Sequence, residues 1–418
     1  MKLSFTYVFL LFLVLSFQLS SCARQQKKST TKETIQPKEP KTIKTGADRI
    51  DQYLPFLKNK NIAIVANQTS ILHVLQRAEV APNVMGSATT THHLVDYLHH
   101  YDGINVQQVF APEHGFRGKA DAGEAIADGK DVKTNIPIIS LYGKNKKPSP
   151  EQLKGTDVVV FDIQDVGARF YTYISTLHYV MEACAEATIP VIVLDRPNPN
   201  GHYIDGPILE PEHKSFVGMH PVPVVYGMTI GEYAQMINGE KWLANGVQCD
   251  LTVIPLENYT HQSIYSLPIK PSPNLPNDIS INLYPSLCFF EGTNVSAGRG
   301  TDKQFQIYGS PFLEKTNFSF TPQPNEGAKY PKYKGELCYG EDISTHQRLA
   351  NLNLSWLLKA YKQSPKKDFF NAFFTKLAGT KKLQQQIEQG LSEKEIKTSW
   401  QQDLESFKKV REKYVLYK

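Results

Sequence analysis

Four apolar runs in this chain end in short polar segments that together hold carboxylates, amides and arginines. Asn67, Gln68 and Thr69 follow residues 63–66. The run 106–110 leads into Ala111-Pro112-Glu113-His114-Gly115-Phe116-Arg117-Gly118. Asp162, Gln164, Asp165, Gly167 and Arg169 follow 158–161, and Asp195, Arg196, Asn198 and Asn200 follow 191–194. A single aspartate after a strand commonly caps the next helix. Three ends carrying carboxylates, each beside glycine or proline and mixed with arginine and asparagine, exceed what capping requires. Such a set suits acid–base work on a hydroxyl-rich substrate. Glycoside cleavage needs one protonated carboxyl at the leaving oxygen and a second carboxylate as nucleophile or base. Other chemistries lack their signatures: no G-x-G-x-x-G or Walker sequence follows the first strand, and no serine lies in a G-x-S-x-G elbow. Gly298 and Gly300 form only a lone glycine pair. His92-His93 and His99-His100 are expected on a polar helix face rather than around a metal. No cofactor is expected.

Those residues need elements to position them. Short apolar runs at 61–66, 106–110, 136–141, 158–161, 191–194 and 251–255 have the length of buried strands. Between them, helices are expected around 91–101, from the Ser149-Pro150-Glu151-Gln152 capping signal, over 170–187, and from the capping box Thr229-Ile230-Gly231-Glu232. This alternation predicts a mostly parallel, doubly wound α/β sheet, in which ligands bind beyond the carboxyl ends of the strands. The pattern stops at Lys270-Pro271-Ser272-Pro273-Asn274-Leu275-Pro276-Asn277, where prolines are too dense for a central strand or helix interior. A domain junction is placed there. Loop-rich chain to about 345 and helices at 352–363, 367–390 and 393–412 follow, with 400–417 expected to dock on the second domain.

The 418 residues carry a net charge of +5, but the excess is confined to the start of the chain. Residues 22–44 hold seven basic and two acidic side chains, residues 1–21 hold Lys2 alone, and the remainder sums to −1. Nucleic acid is therefore a disfavoured partner. An apolar run from Phe5 to about Leu19 behind Lys2 reads as a signal peptide. Leu19-Ser20-Ser21-Cys22 reads as a lipobox with Cys22 as the lipidated residue. The polar stretch 22–45 then serves as a disordered tether to the membrane of a bacterial envelope, facing the periplasm. Cys184, Cys249, Cys288 and Cys338 show no CxxC or zinc spacing and are expected to be buried free thiols.

The motifs resemble those of the NamZ (YbbC-like) family. They are Asn67-Gln68-Thr69, A-P-E-H-G-F-R-G (111–118), Asp121-Ala122-Gly123-Glu124, F-D-I-Q-D-V-G-A-R-F-Y-T-Y (161–173), D-R-P-N-P-N-G (195–201), S-F-V-G-M-H-P-V-P (215–223), P-S-P-N-L-P (271–276) and E-G-T-N-V-S-A-G-R-G-T (291–301), with Lys376-Leu377-Ala378-Gly379-Thr380 last. They span 46–418 in family order. The resemblance implies a Rossmann-like, mostly parallel sheet domain (46–268) and a smaller α+β C-terminal domain (269–418) completing a cleft. It implies an exo-β-N-acetylmuramidase that removes terminal N-acetylmuramic acid from the non-reducing ends of peptidoglycan fragments. Glu113 matches the glutamate of the A-P-E-H-G motif and is the favoured catalytic carboxylate, with His114 as a candidate proton shuttle. For the second group, Asp162, Asp165, Asp195, Glu124 and Glu291 are all eligible, as is the substrate's own acetamido oxygen. The substrate's lactyl carboxylate needs a cation: Arg117, Arg169, Arg196 and Arg299 are candidates, each alternatively paired with a neighbouring aspartate. Tyr171, Tyr173 and Phe116 are candidates to stack on the sugar. Asn67, Gln68, Gln164, Asn198 and Asn294 complete the polar set. The competing expectation is a lipid-anchored protein that binds muropeptides or sugars without cleaving them, and a weaker one is an amidase.

Overall fold

Strand-forming runs in the first half of the chain assemble side by side in a computed structural model, which describes residues 42–81, 84–117 and 128–418. Seven strands form one sheet, in the edge-to-edge order Gly129–Lys130, Pro137–Ser140, Ile104–Ala111, Lys60–Ala66, Val158–Asp162, Val191–Leu194 and Leu251–Ile254. Every neighbouring pair is parallel except the first, which is antiparallel. The central strands are apolar at nearly every position because both faces are covered. Ala63, Val65, Val159, Phe161, Val191 and Val193 point to one core; Ile62, Ile64, Val158, Val160, Ile192 and Leu194 point to the other. The period-two alternation of side chains along each strand thus separates two hydrophobic layers.

The first layer packs under the helices Tyr173–Glu186 and Ile230–Gly239 and continues into Leu283, Phe289, Phe374 and Leu404 of the C-terminal portion. Residues 42–418 accordingly form one compact unit. The C-terminal portion is smaller and mixed: a three-stranded antiparallel sheet of Ile307–Ser310, Cys338–Asp342 and Ser319–Phe320, with short helices around it. The α/β architecture expected from the strand–helix alternation is therefore present, with the smaller domain after it.

Several local expectations needed correction. The helix expected around 91–101 is present but shorter, because residues 91–93 end a strand. Ile71–Ala81 and Val84–His93 pair as an antiparallel hairpin, and only Leu94–His99 is helical. His93 sits at that junction rather than on a polar face: its ring bonds the Asn67 carbonyl at 2.8 Å, and burial lowers its pKa to about 4. The 149–152 capping signal forms, with the Gln152 N–H donating to Ser149 Oγ at 3.3 Å, but Gly155 in the left-handed region (φ +79°) stops the chain after turns. The Thr229 capping box forms as expected and starts a helix. Asp278–Leu287 is a helix within the stretch expected to be loop, opened by an Asn277–Ser280 capping box that the surrounding prolines obscured. Gly379 (φ +72°) divides 367–390 into Ala372–Ala378 and Lys382–Glu388. The chain end docks on the first domain rather than the second. The Tyr417 hydroxyl donates to Asp195 at 2.6 Å, and the Leu416 N–H donates to Glu232 at 2.7 Å. Buried carboxylates at the edge of the sheet need donors, and the C-terminal segment supplies them. The four described cysteines are buried and free.

Candidate active site

A cavity of about 280 Å³ opens beyond the carboxyl end of the sheet, and both portions of the chain contribute to its wall. Glu113 and His114 enter it from the turn after the Ile104–Ala111 strand. That turn closes with the Gly115 N–H donating to the Pro112 carbonyl at 3.0 Å, and both His114 (φ +69°) and Gly115 (φ +76°) are left-handed. Left-handed backbone is costly for a non-glycine residue, and such positions concentrate at functional sites. The Thr172 hydroxyl donates to Glu113 Oε2 at 2.5 Å. Thr172 is the N-cap residue of the helix Tyr173–Glu186, yet its side chain makes no capping bond, because the hydroxyl is engaged with Glu113. The Tyr142 phenol also hydrogen-bonds that carboxylate, and burial followed by the Glu113 charge pushes its pKa up. Glu113 is thus held by donors from two elements.

Glu291 and Arg299 line the cavity from the C-terminal portion. Arg299 Nη1 donates to Glu291 Oε1 at 2.9 Å, and Nη2 donates to the Gly327 carbonyl at 3.1 Å. Cys288 lies 3.9 Å from Glu291 Oε2, and burial holds it well above the usual thiol range, as a thiol rather than a nucleophilic thiolate. An edge-to-face aromatic cluster of Phe170, Tyr171, Tyr284 and Phe305 completes the lining, with ring centroids 4.9–5.8 Å apart. Cavities with an aromatic lining and few polar groups suit a pyranose, which has an apolar face and a polar rim.

Of the residues expected at the site, Glu113, His114, Tyr171, Glu291 and Arg299 meet at this cavity. The other described candidates do not line it, because the carboxyl ends of a sheet must also satisfy their own backbone. Asp162 is fully buried in a bidentate ion pair, with Arg196 Nε 2.6 Å from Oδ1 and Nη2 2.8 Å from Oδ2. Asp165 accepts from the Gly167 N–H at 2.7 Å and from the Tyr226 hydroxyl, and burial raises its pKa to about 6. Asp195 accepts from the Gly231 N–H at 2.7 Å and the Thr229 hydroxyl at 2.7 Å, fixing the start of the Ile230–Gly239 helix. None of these three aspartates reaches the wall. Arg117 lies over Phe116 and forms a two-oxygen pair with Asp131 at 2.8 and 2.9 Å, on the other side of the sheet's core. Phe116 is buried there and is not a sugar platform.

Among the described residues Arg169 pairs with no carboxylate. Fully buried, it donates to the carbonyls of Pro207, Val222, Leu377 and Ala378 at 2.7–2.9 Å. The last two end the Ala372–Ala378 helix, which gives Phe373 and Leu377 to the cavity. A cation at a helix C-terminus complements its dipole. Here it also fixes a wall.

The proline segment is tied down in the same way. The Tyr171 hydroxyl donates to the Pro271 carbonyl at 2.8 Å, and Gln68 Nε2 donates to the Lys270 and Pro271 carbonyls at 3.2 Å. Asn67 Nδ2 donates to the Tyr173 hydroxyl at 2.9 Å, which itself reaches Pro271 O at 3.3 Å. Gln164 bonds the Pro197 carbonyl, Asn198 the Met228 carbonyl, and the Asn294 carbonyl accepts from the Tyr333 hydroxyl. Glu124 and Cys22 lie outside the described residues. Sequence reasoning missed Tyr142 and Thr172. Tyr142 follows the Pro137–Ser140 strand, so the strand-end rule that found Glu113 would have found it too.

Family models for the exo-beta-N-acetylmuramidase NamZ match the chain twice, the N-terminal model over residues 62–279 and the C-terminal model over 282–417. The peptidoglycan beta-N-acetylmuramidase NamZ of Bacillus subtilis (strain 168) is 38% identical over 409 residues, covering 91% of this chain and 92% of that protein. Two crystal structures of DUF1343 family proteins from Bacteroides fragilis NCTC 9343 are also similar. One has a TM-score of 0.80 and 45% identity, covering 90% of this chain and 99% of that one. The other has a TM-score of 0.74 and 27% identity, covering 91% and 100%. With both halves matched in order and Glu113 presented at the cavity, the chain belongs to the NamZ exo-β-N-acetylmuramidase family.

Proposed function

We propose that the protein is a glycoside hydrolase that releases terminal, non-reducing N-acetylmuramic acid from peptidoglycan fragments, with Glu113 as its catalytic carboxylate. The observation that carries this reading is the placement of Glu113: it is the strand-end carboxylate that lines the cavity, and Thr172 and Tyr142 orient it. Glu291, on the C-terminal part of the wall, is the second carboxylate of the pair that glycoside cleavage requires. Arg299 is the cation for the lactyl carboxylate. Of the four candidate arginines it is the one that lines the cavity, beside Glu291. Incubation with a chromogenic N-acetylmuramide beside the matching N-acetylglucosaminide tests the reading. Cleavage of the muramide alone is expected. Binding of the muramide without turnover would replace the hydrolase with a sugar-binding protein.

We also propose that the chain is exported and anchored to the envelope membrane through a lipid on Cys22. The apolar run before Leu19-Ser20-Ser21-Cys22 and the basic, apolar-poor stretch after it support this. Among the described residues, no helix is long and apolar enough to cross a membrane. Cys22→Ser should move the protein from the membrane fraction to the soluble fraction and abolish labelling by a fatty-acid probe. Unchanged fractionation and labelling would remove the anchor.

A further inference from the structure

A second cavity, of about 450 Å³, adjoins the first, and Glu291, Arg299 and Phe373 line both. The first, at about 280 Å³, lies at the small end of ligand sites and suits a single sugar ring. A glycan whose terminal residue fills it has to continue elsewhere. We propose that the second cavity is the subsite for the departing sugar, the residue on the reducing side of the bond that is cut, and that Tyr330 is its stacking platform. This rests on the muramidase reading above.

Tyr330 lines the second cavity with 92% of its surface exposed. An aromatic ring on a cavity wall offers a flat apolar face and a polar hydroxyl edge, the same division that a pyranose presents. Its neighbours along the chain are anchored. Lys332 Nζ donates to the carbonyls of Phe290 and Val295, each at 3.0 Å, and the Tyr333 hydroxyl donates to the Asn294 carbonyl at 2.6 Å. Arg299 Nη2 reaches the Gly327 carbonyl on the other side of Tyr330. Gly300, with φ +80°, lets Pro331 approach so closely that a Cβ there would sit 2.6 Å from Pro331 Cβ. The platform is therefore fixed to the loop that carries Glu291 and Arg299. A sugar on each side of those residues places the glycosidic bond at the shared wall, beside Glu291.

The test compares two substrates of the full-length protein: the disaccharide N-acetylmuramyl-β-1,4-N-acetylglucosamine, and N-acetyl-β-muramyl fluoride, whose one-atom leaving group does not occupy the second cavity. Tyr330→Ala should raise KM for the disaccharide about fivefold, the range of one lost stacking contact. Kinetics on the fluoride should not change, and Tyr330→Phe should restore the disaccharide KM. Equal losses on both substrates, or an unchanged disaccharide KM, would overturn the subsite. A wild-type protein inert on both substrates overturns the muramidase reading, and the subsite with it.

Discussion

The Thr172 hydroxyl lies 2.5 Å from Glu113 Oε2, joining the N-cap residue of a sheet-covering helix to the turn that presents Glu113 at the cavity. The bond fixes the direction of the carboxylate, since the Glu113 side chain would otherwise rotate about its terminal torsions. Two effects follow from one contact. On the proposed function the reaction needs the carboxyl itself, whereas the hydroxyl positions it. Glu113→Gln should lower turnover of a chromogenic N-acetylmuramide by about 10³-fold, within the range of general acid–base catalysis. Its circular dichroism spectrum and melting temperature should match the wild type. Thr172→Val should lower kcat by about tenfold with KM nearly unchanged, and Thr172→Ser should recover most of it. A folded, fully active Glu113→Gln protein would remove Glu113 from the chemistry.

With Arg299 as the proposed cation for the lactyl carboxylate, its replacement should change specificity rather than the bond-breaking step. Its planar guanidinium donates to Glu291 and to the Gly327 carbonyl on the cavity wall, a forked geometry that a lysine ammonium cannot reproduce. Arg299→Lys should therefore raise KM for the muramide by roughly tenfold or more. Inhibition by N-acetylglucosamine, which lacks the lactyl group, should be the same for both proteins. An inhibition constant that weakens as much as KM would assign Arg299 to folding of the wall instead.

The strand ends were legible in the sequence because buried parallel strands read as uninterrupted apolar runs. Lys60–Ala66, Val158–Asp162 and Val191–Leu194 fall within a residue of their expected positions. Glu113 was legible by the same logic. What the sequence hid was the use of each polar residue after the strands. Asp162, Asp195 and Glu113 look alike there, as acids following an apolar run. The first two are consumed by Arg196 and by the Ile230–Gly239 helix start. That consumption depends on partners 34 and 36 residues away, which no local pattern reveals. The Asn277 helix was hidden for a different reason, since its start lies beside prolines that read as a linker.

Arg169 should matter to stability more than to chemistry. Four carbonyls receive its guanidinium, and burial lowers its pKa to about 9. Replacing it with methionine keeps much of the volume and leaves those carbonyls without donors. At about 1 kcal/mol for each lost bond, Arg169→Met should cost roughly 4 kcal/mol, read as a lower urea midpoint with an unchanged slope. Gly379→Ala should be harmful in the same region, because its Cβ would lie 2.7 Å from Arg169 Nη2 in a left-handed backbone. A midpoint shift for Arg169→Met within experimental error would show that water replaces the lost donors.

Asp165 ties stability to pH. Its carboxyl is buried, with the Gly167 N–H and the Tyr226 hydroxyl on Oδ2 and no partner on Oδ1, and burial raises its pKa from 3.8 to about 6. Between those values the folded protein holds a proton that the unfolded chain has released. The unfolded state then binds fewer protons, so this group favours folding most at low pH and loses that contribution as pH rises through about 6. The two-unit shift is worth about 3 kcal/mol. Asparagine keeps an oxygen to accept from Gly167 and Tyr226 but does not titrate. The stability difference between wild type and Asp165→Asn, from urea unfolding at several pH values, should therefore move in favour of the variant from pH 4 to 6 and be flat above pH 7. Subtracting the two proteins removes the carboxylates and histidines they share. A difference that stays constant from pH 4 to 7 would mean that Asp165 is ionised in the folded protein, with its two donors outweighing burial.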